Sequence, residues 1–288
     1  MRRRRRNDRK RDRRLALGRI FPRLRHLSVA YFDLPAPFAD SKRINRVLFG
    51  AYYEEDIYDR ACAALPFLAR GLWWRMPAAM RRRKLIFVHV PRVAGMSIVR
   101  ALYGQGGIRH FSMRYYHAID PSFAAEAESF ALLRDPVDRF ASAYAFVQSG
   151  GTSASRLSDV FVAQTADIAT VDDYLCFLEE RSALDLDFVM RPQSWFVCGD
   201  DGAALVKRLF LYGEDRPALG AFLKSHGIDV LPWLNRTERT ELSLTPRQLR
   251  RIERLYASDF ALIESVRASR GPAENREPWS EAIRLAAE

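Results

Sequence analysis

Two short apolar runs stand out near the middle of the chain. The first, at 85–90, reads Leu-Ile-Phe-Val-His-Val, and the second, at 130–133, reads Phe-Ala-Leu-Leu. Apolar runs of this length, without polar–apolar alternation, are typical of strands buried on both faces of a parallel sheet. A third run at 205–211 predicts another strand. The pattern therefore indicates an α/β core.

Segments with apolar residues at helical spacing surround these runs and predict helices. They are 44–80, 97–103, 136–146, 171–181, 217–225 and 246–263. Pro136 and Pro246 suit first helical turns, and Thr245 is a favourable N-cap. A short strand is expected at 108–113, a short helix at 121–128 and a flexible connection at 150–158.

The exit of the first strand has the features of an anion-binding loop. Pro91 ends the strand, and the loop Arg92–Gly95 leads into a helix that begins near Met96 or Ser97. Backbone N–H groups and the helix dipole favour negative charge there, and Arg92 adds a cation. The Gly-x-x-x-x-Gly-Lys-Ser/Thr pattern of nucleotide triphosphatases is absent. An ordinary strand–turn–helix remains the alternative interpretation.

The second strand also ends in charged residues. It runs into Arg134-Asp135-Pro136, and Ser142 follows two turns into the next helix. Because ligands of open α/β sheets bind outside the carboxyl ends of the strands, both exits are expected to direct charged groups at a common edge. Arg139, on the same helix, is expected to brace that helix through local ion pairs.

The net charge of +11 changes this picture little. Residues 1–14 contain ten basic and two acidic side chains, a net +8, which leaves +3 for the rest. Such a like-charge block is expected to be solvated and disordered, or to serve as an arm for an anionic membrane surface. No nucleic-acid partner is expected.

The chain resembles no membrane-spanning or disulfide-stabilised class. No apolar run approaches the roughly 18 residues needed to span a bilayer, and no secretory leader is recognisable. The three cysteines, Cys62, Cys176 and Cys198, are far apart, which argues against disulfides and a zinc cluster. We expect a cytoplasmic protein, peripheral at the inner membrane surface if the tail binds lipid, and no metal.

Two motifs together resemble the sulfotransferases that use 3′-phosphoadenosine 5′-phosphosulfate (PAPS), specifically the Golgi-type carbohydrate group and its bacterial relatives. The family element Arg-Asp-Pro-x-x-Arg-x-x-Ser-x-Tyr is complete from Arg134 to Tyr144. The family's phosphosulfate loop, Pro-Lys-Thr-Gly/Ala-Gly-Thr-Ser-Ile, corresponds to 91–98. Weaker similarities at 191–193, 210–214, 231–235 and 255–260 follow in the family's order, so the resemblance covers roughly 84–266.

The resemblance implies a P-loop-like three-layer fold, with a central parallel sheet flanked by helices. It implies PAPS as cofactor and a hydroxyl of a glycan or glycolipid as acceptor. Together with the charge and periodicity patterns, it divides the chain into a basic tail and linker (1–40), a helical extension (41–83), a sulfotransferase domain (84–268) and a C-terminal extension (269–288). The implied cofactor contacts are Pro91, Arg92, Val93, Ala94, Gly95, Met96 and Ser97 for the phosphosulfate, and Arg134 and Ser142 for the 3′-phosphate.

The first motif departs from the family at three positions. Arg92 replaces a lysine, and Val93 and Met96 replace two hydroxyl-bearing residues. Each lost hydroxyl removes a contribution of about 1 kcal/mol. A catalytically degenerate sulfotransferase fold that binds membrane or glycan is therefore the rival hypothesis, and a nucleotide kinase with an unusual loop is a third.

Sulfuryl transfer requires a cation near the leaving oxygen and a base for the acceptor hydroxyl. Arg92 is the expected cation. Some carbohydrate sulfotransferases have a functional histidine in a segment comparable to the one that contains His117, so the resemblance favours His117 as base. His110 is the second candidate and is also expected to contact the acceptor. Gln193 is expected to contact the acceptor or the cofactor, and a structural amide is the alternative interpretation.

Further expectations concern other polar residues. His89 is expected to be a core histidine. Asp120, Glu126 and Glu128 are backup bases. The loop with Asn235, Arg236 and Arg239 either closes over the nucleotide or is a solvated basic loop.

Overall fold

Three parallel strands form the centre of the structure, a computed structural model that describes residues 76–104, 109–152, 155–157, 159–229 and 242–270. Strand β1 (Leu85–Val88) pairs with β2 (Glu128–Leu133), which pairs on its other side with β5 (Arg208–Leu211). A separate antiparallel pair consists of β3 (Gly151–Thr152) and β4 (Ser155–Arg156). The prediction of three strands in an α/β core is confirmed; β1 and β2 are buried, whereas β5 is exposed at Arg208 and buried at Phe210 and Leu211.

Eleven α-helices accompany the sheet within these residues. In chain order they are α1 (Ala78–Arg83), α2 (Gly95–Tyr103), α3 (Met113–Ile119), α4 (Pro121–Glu126), α5 (Pro136–Gln148), α6 (Asp159–Thr165), α7 (Val171–Glu179), α8 (Ser194–Val197), α9 (Arg216–Ser225), α10 (Pro246–Leu255) and α11 (Ala257–Ala268). None of them is long and apolar enough to cross a membrane.

Two predicted elements are wrong. The expected strand at 108–113 is absent from its described part, 109–113, and helix α3 begins at Met113 instead. The reason is local, because the Ser112 hydroxyl accepts a hydrogen bond from the Tyr115 N–H and caps the helix. The expected last helix is two helices, which meet at Tyr256.

The predicted helix starts at prolines are confirmed. Asp135 caps α5 through its carboxylate, with Pro136 in the first turn. Thr245 caps α10, and Gln248 completes the capping box by accepting from the Thr245 N–H.

Several expectations concern segments outside the described residues. They are the basic tail and linker, the extension as far as residue 75, the loop with Asn235, Arg236 and Arg239, and the chain beyond residue 270.

Aromatic side chains close the core on the sheet. Phe130, in the middle of β2, is fully buried. Its ring centroid lies 4.8 Å from Phe87 on β1 and 5.0 Å from Phe222 on α9. The central strand therefore joins both neighbouring elements through one side chain.

Replacing this ring tests the assignment of the core. Phe130→Ala is expected to lower the free energy of unfolding by about 3–5 kcal/mol, because it leaves a cavity between three elements. The matched control is Val162→Ala on α6, a side chain that is 40% exposed, for which a change within about 0.5 kcal/mol is expected. Urea unfolding of both variants measures the difference, and equal effects would contradict the packing.

Candidate functional site

The parallel pairing of β1 and β2 brings the two strand exits to one edge of the sheet. Leu85 pairs with Glu128 and Val88 with Ala131, so both strands run in the same direction. Beyond them, the Arg92 guanidinium donates to the Ser142 Oγ, from Nη2 at 2.9 Å and from Nε at 3.2 Å. One residue from the first motif is thus in contact with one residue from the second, although 50 positions separate them in the sequence.

The loop after β1 has an unusual backbone. Arg92 and Ala94 have φ angles of 66° and 63°, a region that non-glycine residues rarely occupy. Strained residues of this kind cluster at ligand sites, and left-handed residues occur in the concave nests whose N–H groups bind anions. Helix α2 begins at Gly95, and Ala94 at its N-cap makes no side-chain hydrogen bond. The loop therefore presents the N-terminus of a helix without a side-chain cap from that residue.

The His89 ring packs against Gly95 so closely that only glycine fits at that position of the loop. The imidazole is 4% exposed, and a Cβ placed on Gly95 would lie 2.3 Å from His89 Cδ2. Real Cβ atoms do not approach so closely, so any larger residue here must displace a buried ring. The expectation that His89 is a core histidine is in agreement with this burial.

Arg139 holds the loop from the opposite side. Its guanidinium is 2% exposed; Nε donates to the Pro91 carbonyl and Nη2 to the Val189 carbonyl, each at 3.1 Å. The prediction that Arg139 braces its own helix through ion pairs is wrong. The side chain of this α5 residue instead reaches across to two main-chain carbonyls of other segments, which no local pattern indicates.

Arg134 is held through its backbone and keeps its guanidinium available. Its N–H donates to Gln193 Oε1 at 2.9 Å, and its carbonyl accepts from Gln193 Nε2 at 2.7 Å. The guanidinium lies 3.8 Å from Asp138 and 5.5 Å from the Tyr212 ring. Its Nε is buried and has no hydrogen-bond partner among the described residues. Buried N–H groups without a partner are uncommon in proteins, and this one identifies Arg134 as a candidate for contact with a ligand.

Three guanidinium groups therefore crowd one edge of the sheet. Burial lowers the pKa of Arg92, and the charges of Arg134 and Arg139 lower it further. Burial also lowers the pKa of Arg139; Tyr256 and Asp259 oppose this shift, and Arg134 adds to it. Mutual repulsion of partly buried cations is relieved when an anion binds between them. The geometry of the loop and the positive charge of the arginines thus both favour an anionic ligand.

The two candidate bases differ in their connection to the loop. His110 Nδ1 lies 2.7 Å from the His89 carbonyl, and the two rings are 4.4 Å apart. Since a carbonyl only accepts, Nδ1 carries the proton and the neutral ring has its lone pair on Nε2. Burial lowers the pKa of His110, although the hydrogen bond to His89 opposes the shift.

His117 lies on the last turn of α3, partly exposed, and burial lowers its pKa as well. No hydrogen bond joins it to Arg92, Arg134 or Ser142 within the described part of the chain.

The acidic backup bases lie at other places. Glu128 begins β2 and forms an ion pair with Arg208 at 3.3 Å. That end of the strand is about 16 Å from the exit, at the rise expected for five residue steps. Glu126 lies 3.6 Å from Lys84, before β1, and the Asp120 carboxylate caps α4 by accepting from Phe123. Glu126 and Glu128 therefore lie at the opposite end of the strands from the arginines, and the Asp120 carboxylate is engaged in the helix cap.

Gln193 is fully buried, and both ends of its amide bind the Arg134 backbone. The amide therefore bonds to the main chain of Arg134, which favours a structural role for Gln193 over contact with the acceptor. Sequence reasoning also missed Asp259, whose carboxylate accepts from the N–H groups of Gln193 at 2.7 Å and Ser194 at 2.8 Å. Sixty-six positions separate Asp259 from Gln193, so no local signal reveals the pair.

Comparisons with family models, with curated proteins and with solved structures gave no match. Across the described residues, no three histidine, cysteine or acidic side chains are grouped to hold a metal ion. The case for a function thus depends on the geometry of the edge itself.

The close approach of Gly95 to His89 gives a direct test of the loop. Gly95→Ala is expected to lower the free energy of unfolding by about 1–3 kcal/mol, because the new methyl displaces a buried side chain. Gly220→Ala on α9 is the control, since no atom lies within 4 Å of its Cβ position. That change is expected to stabilise the helix by about 0.5–1 kcal/mol. Thermal unfolding measures both, and equal stabilisation would contradict the close contact.

Proposed function

We propose that the chain is a PAPS-dependent sulfotransferase with a P-loop-like fold, which moves the sulfuryl group to a hydroxyl of a glycan or glycoconjugate. One observation carries the proposal: the hydrogen bonds from Arg92 to Ser142, which join the loop motif to the second motif at the edge of the sheet. These are the two elements that the family resemblance assigns to one nucleotide.

Two anionic groups of the nucleotide would occupy neighbouring positions. The loop with its left-handed residues and the start of α2 suits the 5′-phosphosulfate. The Arg134 Nε and Ser142 suit the 3′-phosphate. Because the Ser142 Oγ accepts both bonds from Arg92, its own O–H remains a donor for a phosphate oxygen.

Replacement of the two hydroxyl-bearing residues by Val93 and Met96 does not prevent the loop from binding an anion. Val93 is fully buried, so its side chain serves the core, whereas Met96 is 42% exposed. Donors in this proposal come from the backbone N–H groups and from Arg92. These groups do not depend on the side chains at either position.

The transfer is an in-line displacement at sulfur. A bond forms between the acceptor oxygen and sulfur, while the bond from sulfur to the bridging phosphate oxygen breaks. Arg92 stabilises the charge that develops on the departing nucleotide. A base takes the acceptor proton, and the products are a sulfate ester and adenosine 3′,5′-bisphosphate.

His110 suits the role of base better than His117 on geometric grounds. Its Nε2 carries the lone pair, and its Nδ1 bonds to the carbonyl of His89, between β1 and the loop. A burial-lowered pKa keeps the imidazole neutral at neutral pH. His117 remains the alternative that the family resemblance favours.

The cofactor assignment is tested by nucleotide titration. Adenosine 3′,5′-bisphosphate is expected to bind more tightly than adenosine 5′-monophosphate. Arg134→Ala is expected to reduce the affinity for the bisphosphate by about 10–100-fold, which corresponds to the loss of one charge-assisted hydrogen bond. Ser142→Ala is expected to reduce this affinity by less. Both variants should leave the affinity for the monophosphate nearly unchanged. The control is Arg247→Ala, at an exposed arginine on α10. A wild-type protein that ignores the 3′-phosphate would contradict the proposal.

The base assignment is tested by the pH dependence of labelled-sulfate transfer. Because neutral His110 is the active form and its pKa lies below the usual 6.5, the rate should fall as pH drops through that lowered value. His110→Asn is expected to reduce turnover about 10²–10⁴-fold and to abolish this acid limb.

His117→Asn serves as the comparison and is expected to keep both the rate and the limb. The reverse result, with turnover lost only in His117→Asn, would transfer the role to His117.

A further inference from the structure

The segment 189–194 crosses the carboxyl edge of the sheet and is held from several sides. Arg139 binds the Val189 carbonyl, and the Tyr256 hydroxyl donates to the Met190 carbonyl at 2.9 Å. Asp259 binds the N–H groups of Gln193 and Ser194 with one oxygen each. This crossing segment thus joins α5 to the junction of α10 and α11.

Gln193 extends the central strand by one residue. The last main-chain bond between β2 and the β5 side runs from the Tyr212 N–H to the Leu133 carbonyl. The next residue, Arg134, finds its donor and acceptor in a single side chain, the Gln193 amide. An amide that both donates and accepts fixes the plane of the peptide groups around Arg134, from which the guanidinium extends.

Asp259 connects this pair to the loop. Its carboxylate is 1% exposed, and its charge opposes the lowering of the Arg139 pKa by burial. The Arg139 Nε in turn binds the Pro91 carbonyl. Burial raises the pKa of Asp259, while Arg139 and the two N–H donors oppose that rise. One buried carboxylate therefore acts on both strand exits, through Gln193 on one side and Arg139 on the other.

We propose that Gln193 and Asp259 are positioning residues that fix Arg134 for the 3′-phosphate and so set the preference for a 3′-phosphorylated nucleotide. This inference rests on the proposed function. Gln193 is fully buried with its amide engaged at both ends, so it acts through Arg134 and does not touch the ligand. Preorganisation of this kind raises affinity by lowering the ordering cost of binding.

The readout is the ratio of two dissociation constants, adenosine 5′-monophosphate over adenosine 3′,5′-bisphosphate, from calorimetric titration of the full chain. Gln193→Met keeps the length of the side chain and removes both hydrogen bonds. We expect it to reduce the ratio about tenfold and to change the monophosphate affinity by less than about twofold.

Gln248→Met is the matched control. Gln248 is also a buried glutamine with both amide ends engaged, to the Thr245 N–H at 2.9 Å and to Asp172 at 2.8 Å. It lies on α10, which contacts α7, and has no bond to Arg134. Its loss should lower the melting temperature and leave the ratio unchanged.

Asp259→Asn provides a second variant should Gln193→Met fail to fold. It keeps the side-chain volume but presents an NH₂ group where one main-chain N–H needs an acceptor, and a several-fold lower ratio is expected. An unchanged ratio in a folded Gln193→Met or Asp259→Asn variant would overturn this inference while the proposed function stands. Parallel loss of affinity for both nucleotides would reduce Gln193 to a structural role. A wild-type ratio near one would overturn the proposed function itself.

Discussion

The buried guanidinium of Arg139 is the contact on which the arrangement of the edge depends. It is a charged group 2% exposed whose hydrogen bonds go to the carbonyls of Pro91 and Val189. Burial of a charge is unfavourable unless hydrogen bonds and an opposite charge compensate it. Those two carbonyls, together with the nearby carboxylate of Asp259, provide the compensation. The loop after β1 and the crossing segment are therefore fixed to the same helix.

As a consequence, the backbone at this edge of the sheet is fixed by hydrogen bonds, while the guanidinium groups there repel one another. Arg92 and Arg134 extend from the two strand exits. Burial lowers the pKa of Arg92, and the charges of Arg134 and Arg139 lower it further. The left-handed residues Arg92 and Ala94 store backbone strain in the same place. Features that oppose folding yet persist at one edge are typical of a ligand site, because the bound ligand relieves them. An anionic ligand, such as the nucleotide of the proposed function, would relieve both the charge repulsion and the strain.

Local patterns in the sequence were sufficient for the three strands of the parallel sheet and for part of the site. The apolar runs identified β1, β2 and β5, and the rule for parallel sheets placed Arg92 and Ser142 at one edge. Local reasoning failed at 108–113, where a strand was expected and where the Ser112 hydroxyl instead caps a helix that begins at Met113. It also failed for Asp259 and Gln193, because their pairing depends on how α11 packs and not on any neighbour in the sequence. The direction of Arg139 was missed for the same reason.

The measurement that tests the central claim most directly is transfer of labelled sulfate from PAPS to a panel of glycans, glycolipids and small alcohols. A sulfotransferase releases adenosine 3′,5′-bisphosphate in step with a sulfated product, and the release depends on the acceptor. The proposal predicts this coupled release for at least one glycan acceptor and its loss in Arg92→Ala. Tight nucleotide binding without transfer to any acceptor would contradict it and would favour a binding protein with a sulfotransferase-like fold.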